Sequence, residues 1–178
     1  PGGADQTYPF LAHAEYFWLT DHENPGSVLA FDPNEGWTDF VPETTVAERV
    51  WEGRGDAPGT PLSRLASWLD SRKERRIINL GSRINGIQAD HAREGELRDA
   101  LTHVRRPKDE AELERMRAAC AASATAYARL LPRIRPGVTE RELQIELEAD
   151  FFRAGGDRTG YGSIVAAGSN AAVLHFSP

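Results

Sequence analysis

The stretch RPGVTERELQIELEADFF, residues 135–152, shows most directly how the second half of the chain folds. Pro136 and Gly137 predict the end of a preceding helix, because proline lacks an amide donor and glycine tolerates turn conformations. Thr139 and Glu142 have the spacing of a capping box, in which two side chains satisfy backbone amides at a helix start. Apolar side chains then recur every four residues until a double glycine closes the helix. The stretch therefore predicts a helix break followed by a capped, amphipathic helix.

The sequence on either side extends this pattern into a unit of two helices and a hairpin. Residues 109–131 are rich in Ala, Glu, Arg and Leu, which favour a helix. Residues 163–167 and 172–176 predict two strands around a turn at 168–170. A hairpin in this position would leave one face of its sheet uncovered, and such a sheet is not expected to be stable alone. The apolar side chains of the first helix fall near one stripe, formed by Leu113, Met116, Cys120, Tyr127 and Leu131.

Cys120 is the only cysteine in the chain. It cannot form an internal disulfide, and no metal site can be built from thiols here. Its alanine-rich surroundings predict a small buried hydrophobe in a helix.

The first half of the chain predicts a mixed α/β unit. Strands are expected at residues 15–20, 27–31 and 38–41, where aromatic and β-branched residues are bounded by turn residues. Residues 63–73 carry apolar side chains at helical spacing, and residues 76–81 resemble a buried strand. Strands alternating with a helix suggest a mixed sheet flanked by helices.

Composition excludes two classes of partner. The formal net charge is −6, and a nucleic-acid phosphate backbone would require clustered Lys and Arg, so no nucleic-acid partner is expected. No run of about 18 apolar residues occurs, so no membrane span is predicted. The N-terminal residues contain no signal-like segment, and a cytoplasmic location is the expectation.

Catalytic motifs that can be recognised without a family are absent from the sequence. There is no phosphate-binding glycine loop, no HExxH and no GxSxG, and the five histidines have no ligand spacing. Most acidic residues, including Glu140 and Glu148, are predicted to lie on solvated helix faces or in caps. On these patterns alone, the chain is a soluble α/β protein.

Five segments, taken together and in order, give a sharper indication. They are YPF at 8–10 with EYFWLT and ENPGSVL up to residue 29, FVPE with ERVWEGR within 40–54, VRRPKDEAEL at 104–113, RPGVTEREL at 135–143, and YGSIV with GSNAAVLHF within 161–176. This order resembles the successive motifs of the aminopeptidase P and prolidase family, the Xaa-Pro peptidases of family M24. One departure is Asp21, which stands where the family pattern usually has glycine.

The resemblance implies a two-domain fold. An α/β N-terminal domain of the creatinase and aminopeptidase P type would occupy residues 1–103. The first part of an α+β pita-bread catalytic domain would occupy residues 104–178. The implied activity is metal-dependent hydrolysis of the Xaa-Pro bond at peptide N-termini.

The resemblance also implies a cofactor and its position. Family members use two metal ions, usually manganese, which lower the pKa of a bridging water and polarise the scissile carbonyl. Their ligands are two Asp, one His and two Glu, which suit Mn²⁺. In the family's order these ligands follow the strand that ends in LHF, so they are expected beyond Pro178. Residues 1–178 alone are therefore expected to bind no catalytic metal and to be inactive.

Three residues acquire candidate roles from the resemblance. His175 matches a histidine that lines the active site, and it would act as a catalytic and substrate-binding donor; the alternative is a structural histidine. Tyr161 matches a tyrosine near the metal centre, and it would bind substrate or a metal-bound carboxylate; the alternative is a packed aromatic. Trp51 would stack on a substrate side chain or proline ring, and the alternative is structural packing.

The expected partners are proline-containing peptides and further copies of the chain, as a homodimer or homotetramer. Three alternatives to an aminopeptidase stay open. They are a prolidase that cleaves Xaa-Pro dipeptides, a non-catalytic pita-bread module that binds peptides, and a creatinase, which needs no metal.

Overall fold

The computed structural model describes residues 10–178, so Tyr8 and Pro9 of the first resembling segment lie outside the described residues. Contacts within the chain separate two compact units, Pro1–Val104 and Arg105–Pro178.

The first unit contains a three-stranded sheet. Strands β1 (Val28–Asp32) and β2 (Gly36–Val41) form an antiparallel hairpin, and the short strand β3 (Thr60–Pro61) pairs parallel to β2. The two hairpin strands confirm the prediction, whereas β3 was not predicted. Gly59 precedes β3 at a crowded position, because a Cβ there would lie 2.8 Å from the backbone oxygen of Asp39. Only glycine therefore lets β3 approach β2 this closely.

Between residues 10 and 104, four α-helices accompany this sheet. They are α1 (Ala14–Thr20), α2 (Val46–Trp51), α3 (Leu65–Asp70), which continues from a 3₁₀ turn at Leu62–Arg64, and α4 (His91–Val104). The helix predicted at residues 63–73 is confirmed in a shorter form. Helices α2 and α4 were not predicted.

Two strand predictions in this unit are wrong. Residues 15–20 form α1, because the phenol of Tyr16 is drawn to the carboxylate of Asp39, 3.0 Å away, and a helical turn supplies that contact. Residues 76–81 belong to no strand. The backbone oxygen of Leu80 accepts a hydrogen bond from Arg98 of α4, so a side chain takes the place of a neighbouring strand.

The backbone conformation of Asp21 explains why the family pattern usually has glycine at this position. Its backbone lies in the left-handed region, with φ 58° and ψ 25°, and its amide donates to the Phe17 carbonyl to close α1. Glycine adopts this conformation without steric cost, and aspartate tolerates it better than most other residues. The substitution therefore keeps the local backbone path.

A buried ionic contact joins the hairpin to the turn that follows α3. Asp32 is 2 % exposed and accepts hydrogen bonds from Arg72 Nε at 2.7 Å and Arg75 Nη1 at 2.8 Å. The backbone amide of Asn34 and then the guanidinium of Arg72 lower the pKa of Asp32 to about 2. The charged carboxylate is therefore the form that the folded unit favours.

The second unit contains the two predicted helices. They are α5 (Glu110–Leu130), followed by a 3₁₀ turn at Leu131–Arg133, and α6 (Glu140–Arg153). Between them Val138 donates to the Arg135 carbonyl, and Gly137 has φ +91°. Proline followed by glycine with positive φ is the signature of a type II turn.

The start of α6 is the predicted capping box. The amide of Glu142 donates to Thr139 Oγ1, and the amide of Thr139 donates to Glu142 Oε2 at 2.8 Å. The hydrogen bond from the Thr139 amide lowers the pKa of Glu142 most, followed by that from the Thr139 hydroxyl. This prediction is confirmed.

Helices α5 and α6 pack through a stripe that differs from the predicted one. The buried residues of α5 are Ala122, Ala126 and Leu130, at a spacing of four, and Ala126 and Leu130 form a cluster with Leu147 of α6. The small side chain of Ala126 leaves room for the leucines of both helices in this cluster. Cys120 is exposed, and the prediction that it is buried is wrong.

A buried carboxylate also joins these helices. Asp150 is 2 % exposed; its Oδ1 lies 3.0 Å from Arg153 Nη1 and 3.4 Å from Arg129 Nη1 of α5. The hydrogen bond from Arg153 makes the largest contribution to lowering the pKa of Asp150, and the charges of Arg129 and Arg133 add to it.

The predicted hairpin does not form. Residues 163–167 belong to no helix or strand, a 3₁₀ helix spans Gly168–Ala172, and residues 173–175 form a bend and turn. Among the residues that the structure describes, the second unit has no strand with which these segments could pair. A two-stranded hairpin is marginal without a third strand or a covering helix, and α6 binds the first segment instead.

Candidate functional site

The candidate site is the segment of residues 161–176, which lies against one polar row of α6. Glu140, Gln144 and Glu148 stand at a spacing of four on that helix, so their side chains share one face. Gln144 Nε2 donates to Glu148 Oε1 at 2.9 Å. The Ser163 hydroxyl makes the largest contribution to lowering the pKa of Glu148, and Gln144 contributes next. The start of the segment is therefore anchored to the middle of α6.

Glu140 anchors the other end of the extended stretch. Its Oε1 accepts from the backbone amide of Ala167 at 2.6 Å, and its two oxygens accept from Asn170 Nδ2 at 3.1 and 3.0 Å. Residues 163–170 thus run along α6 from its middle to its first turn. The prediction that Glu140 and Glu148 lie on solvated helix faces is wrong, because both are half-buried and hold this segment.

Sequence analysis missed the role of Glu140. The available signal was its place beside the capping threonine together with the glycine-serine-asparagine turn that follows residue 167. An acidic side chain in a helix's first turn is explained by the helix dipole alone, so nothing local distinguished an anchor from a cap.

His175 lies five residues beyond Asn170, at the end of this anchored segment. The turn that presents it is closed by the amide of Phe176, which donates to the Val173 carbonyl at 3.3 Å. Its imidazole is exposed and makes no hydrogen bond or ion pair with any residue from 10 to 178. The neighbouring Leu174 is 88 % exposed.

Tyr161 precedes the anchored segment and is 77 % exposed. Within the described part of the chain its phenol forms no hydrogen bond. The structure therefore does not link Tyr161 to His175 by a direct contact, although both flank the segment that Glu140 and Glu148 hold.

Trp51 lies in the first unit, at the last position of α2. A capping box of Thr45 and Glu48 starts this helix, and Arg54 binds the same Glu48 at 2.8 Å. The Trp51 side chain is 82 % exposed, so it is not packed into the core of its own unit.

The described residues do not provide a metal site. From residue 10 to residue 178, no three His, Cys, Asp or Glu side chains cluster in a way that could hold a metal ion. The residues present therefore do not fit a dinuclear centre, and no metal-dependent step is assigned to them.

Among residues 10–178, no helix is both long enough and apolar enough to cross a membrane.

Comparison with known proteins found similarity to one family of peptidases. Residues 114–178, which include Glu140, Tyr161, Asn170 and His175, match the sequence profile of metallopeptidase family M24. The intermediate cleaving peptidase 55, mitochondrial, of Arabidopsis thaliana is 26% identical over 96% of this chain and 39% of its own length. A probable Xaa-Pro aminopeptidase of Penicillium rubens is 27% identical over 97% of this chain and 38% of its own length.

Solved structures share the fold. Aminopeptidase PepP of Pseudomonas aeruginosa superposes with a TM-score of 0.68 at 24% identity, over 95% of this chain and 46% of that one. Proline aminopeptidase P II of Yersinia pestis gives the same TM-score at 21% identity, over 98% of this chain and 48% of that one. The fold is thus an α/β arrangement that includes part of a pita-bread-type domain.

The chain spans about two fifths of the length of the curated relatives that it matches. Over the part of their length that it spans, the chain is thus similar in sequence to Xaa-Pro aminopeptidase relatives and in fold to aminopeptidase P structures, and its residues 114–178 match the M24 profile.

Proposed function

We propose that the protein is an Xaa-Pro aminopeptidase, a metal-dependent exopeptidase that hydrolyses the Xaa-Pro bond at peptide N-termini. Its family is one of peptidases. The observation that supports the finer assignment is the alignment of nearly the whole chain with a relative named as a probable Xaa-Pro aminopeptidase.

His175 is the proposed catalytic and substrate-binding donor. Its imidazole is exposed and is not engaged by another described side chain, so it is free to donate to the substrate carbonyl or carboxylate. A donor positioned at the oxygen where charge develops stabilises the transition state. The anchoring of residues 163–170 by Glu140 and Glu148 would fix the path of the chain towards this histidine.

Tyr161 and Trp51 are the proposed substrate-binding aromatics. Both are exposed and can meet a ligand without unfolding. The indole of Trp51 presents a broad apolar face for a proline ring or a side chain, and the Tyr161 phenol offers a hydrogen bond as well.

The family description implies a divalent metal, and we propose two manganese ions in the complete active site. The proposed partners are proline-containing peptides and one or three further copies of the protein. The proposed location is the cytoplasm. One relative is named as mitochondrial, so fractionation of cells that express the tagged protein tests this location.

Two other kinds of protein share this fold. One is a dipeptidase specific for Xaa-Pro, and the other is a non-catalytic module that binds peptides. The test is an assay of the full-length protein with Mn²⁺. We expect release of the first residue from Xaa-Pro-Xaa tripeptides, little cleavage of Xaa-Pro dipeptides, and none of matched Xaa-Ala-Xaa tripeptides.

The reverse preference between tripeptide and dipeptide would identify a dipeptidase. If neither peptide is cleaved, the proposal is wrong; peptide binding without cleavage would then indicate the non-catalytic module.

A further inference from the structure

A series of hydrogen bonds leads from the first turn of α6 to the turn that presents His175. At its start, one carboxylate holds two groups of the segment. Glu140 Oε1 accepts from the Ala167 amide at 2.6 Å, and Glu140 Oε2 accepts from Asn170 Nδ2 at 3.0 Å. Hydrogen bonds to a charged acceptor are stronger than those between neutral groups. The carboxylate therefore fixes the segment at two points three residues apart.

The backbone continues this series as far as the candidate histidine. The Asn170 amide donates to the Ala167 carbonyl at 3.1 Å, and the Val173 amide donates to the Asn170 carbonyl at 2.9 Å. The Phe176 amide then donates to the Val173 carbonyl at 3.3 Å. Each bond spans three residues and begins at the residue where the previous bond ends. His175 lies inside the last of these turns.

Side-chain packing contributes little to holding this turn. The side chains of residues 171–175 are all exposed, and Phe176 is the first one after them to be half-buried. The imidazole of His175 forms no hydrogen bond or ion pair with the residues from 10 to 178. The hydrogen bonds that start at Glu140 are therefore the contacts that relate the backbone of His175 to α6.

Asn170 links the anchor to the turns. Its side chain binds Glu140, and its backbone carbonyl accepts the Val173 amide. A hydrogen-bond donor is needed at this position, because a carboxylate facing Glu140 would bring two negative charges together. Glu140 and Asn170 thus form a pair in which one side chain accepts and the other donates.

We propose that Glu140 and Asn170 are a positioning pair that holds His175 in the place from which it donates to the substrate. This inference rests on the proposed function, because it concerns the donor of that reaction. Neither member of the pair touches the reacting atoms. A displaced donor loses its interaction with the oxygen where charge develops in the transition state, and a misplacement of about 1 Å can cost up to about 10²-fold in rate. The pair is therefore expected to act on kcat rather than on KM.

The test is a double-mutant cycle between Asn170→Ala and His175→Ala in the full-length protein, with Mn²⁺ and an Xaa-Pro-Xaa tripeptide. If Asn170 acts through His175, its replacement matters only while the histidine is present. We expect Asn170→Ala alone to lower kcat about tenfold or more, with KM within about twofold of the wild type. In the His175→Ala background, Asn170→Ala should change kcat by less than about twofold.

Two further comparisons separate positioning from a general loss of stability. Ser169→Ala removes an exposed hydroxyl from the same 3₁₀ helix and is the matched control, which should leave kcat within about twofold. Asn170→Asp places a second carboxylate against Glu140 and should lower kcat at least as much as Asn170→Ala. Adding Glu140→Gln to it restores a donor and an acceptor with exchanged roles, and part of kcat should return.

Hydrogen exchange provides a readout that does not depend on activity. In the full-length protein, Asn170→Ala is expected to accelerate the exchange of peptides covering residues 172–177 several-fold, because local opening exposes the Phe176 amide. Ser169→Ala is expected to leave this exchange unchanged.

Three results would each overturn the inference: equal loss of kcat from Asn170→Ala with and without His175, equal losses from Asn170→Ala and Ser169→Ala, or unchanged exchange of residues 172–177 in Asn170→Ala. Absence of cleavage by the wild type would instead contradict the proposed function. The exchange measurement would then still decide whether the pair holds the turn that carries His175.

Discussion

His175 is the residue on which the proposed catalysis depends most. We expect His175→Ala in the full-length protein to lower kcat/KM for an Xaa-Pro-Xaa tripeptide by about 10²-fold, because a donor to the reacting oxygen is worth about that factor. Steady-state hydrolysis with Mn²⁺ measures it. His103→Ala, which removes an exposed histidine of α4, is the matched control and should change kcat/KM little. Equal activity of the two variants would remove His175 from the mechanism.

Asp32 gives the first unit a defined acid sensitivity. Its pKa is lowered to about 2, first by the Asn34 amide and then by Arg72, whereas an unfolded aspartate has a pKa of about 3.9. Because the folded value is the lower one, the stabilisation is fully present above about pH 4 and is lost as the pH falls towards 2. Asp32→Asn removes the titrating group.

We therefore expect the Asp32→Asn variant to melt at a lower temperature than the wild type at pH 6, with the difference shrinking as the pH falls from about 4 to about 2. Circular dichroism melts across this range measure it. Asp70→Asn, which replaces an exposed aspartate at the end of α3, is the control and should show no such convergence. A difference that stays constant with pH would contradict the assigned pKa.

At the scale of elements, the sequence predicts a helix or strand well where the signal is local to that element. Helix α6 begins at its capping box and was predicted, and the hairpin of β1 and β2 follows its turn residues. Helix α2 also carries a capping box, at Thr45 and Glu48, and this signal was overlooked. Short aromatic runs do not have enough residues to separate a helix from a strand, so α1 was predicted wrongly.

The elements that depend on distant partners could not be predicted in the same way. The segment of residues 163–167 has the composition of a strand, but its partner in the structure is the polar row of α6. The close approach of β3 to β2 depends on Gly59, whose requirement is visible only when Asp39 lies against it. Of the candidate site, the roles of the motif residues stay predictions, and the Glu140 anchor was not predicted.

Glu140 leads to a prediction at this scale. Glu140→Ala removes the acceptor for the Ala167 amide and for Asn170, so the segment of residues 163–172 should detach from α6. We expect hydrogen exchange of the Ala167 amide to accelerate about tenfold or more, since exchange follows local opening. Mass spectrometry of peptides covering 163–172 measures it.

Glu140→Gln is the matched variant for this experiment. It keeps one carbonyl acceptor in nearly the same place, and it should restore part of the protection. Unchanged exchange in Glu140→Ala, with α6 itself intact, would show that the segment is held by other contacts.

At the scale of the whole molecule, the segment that matches the family profile and the search for a metal-binding cluster give different results. The M24 match contains the segment that ends at His175, yet no metal-binding cluster occurs within residues 10–178. Aminopeptidase P structures are matched over about half of their length. Sequence motifs indicated the family because they are local, whereas a metal centre requires ligands brought together from several segments.

The absence of such a cluster among residues 10–178 leads to a prediction about metal binding. The 178-residue chain alone should bind no Mn²⁺ stoichiometrically, because a manganese site needs several carboxylate or imidazole ligands in one place and the described residues provide no such group. Isothermal titration calorimetry with Mn²⁺ measures it, and Mg²⁺ serves as the control for weak attraction to the net charge of −6. The full-length protein, titrated in parallel, should bind about two Mn²⁺ ions if it holds the dinuclear centre of a catalytic metallopeptidase. A saturable isotherm with at least one Mn²⁺ bound per 178-residue chain would contradict this prediction. It would show that side chains of this chain form a metal site of their own.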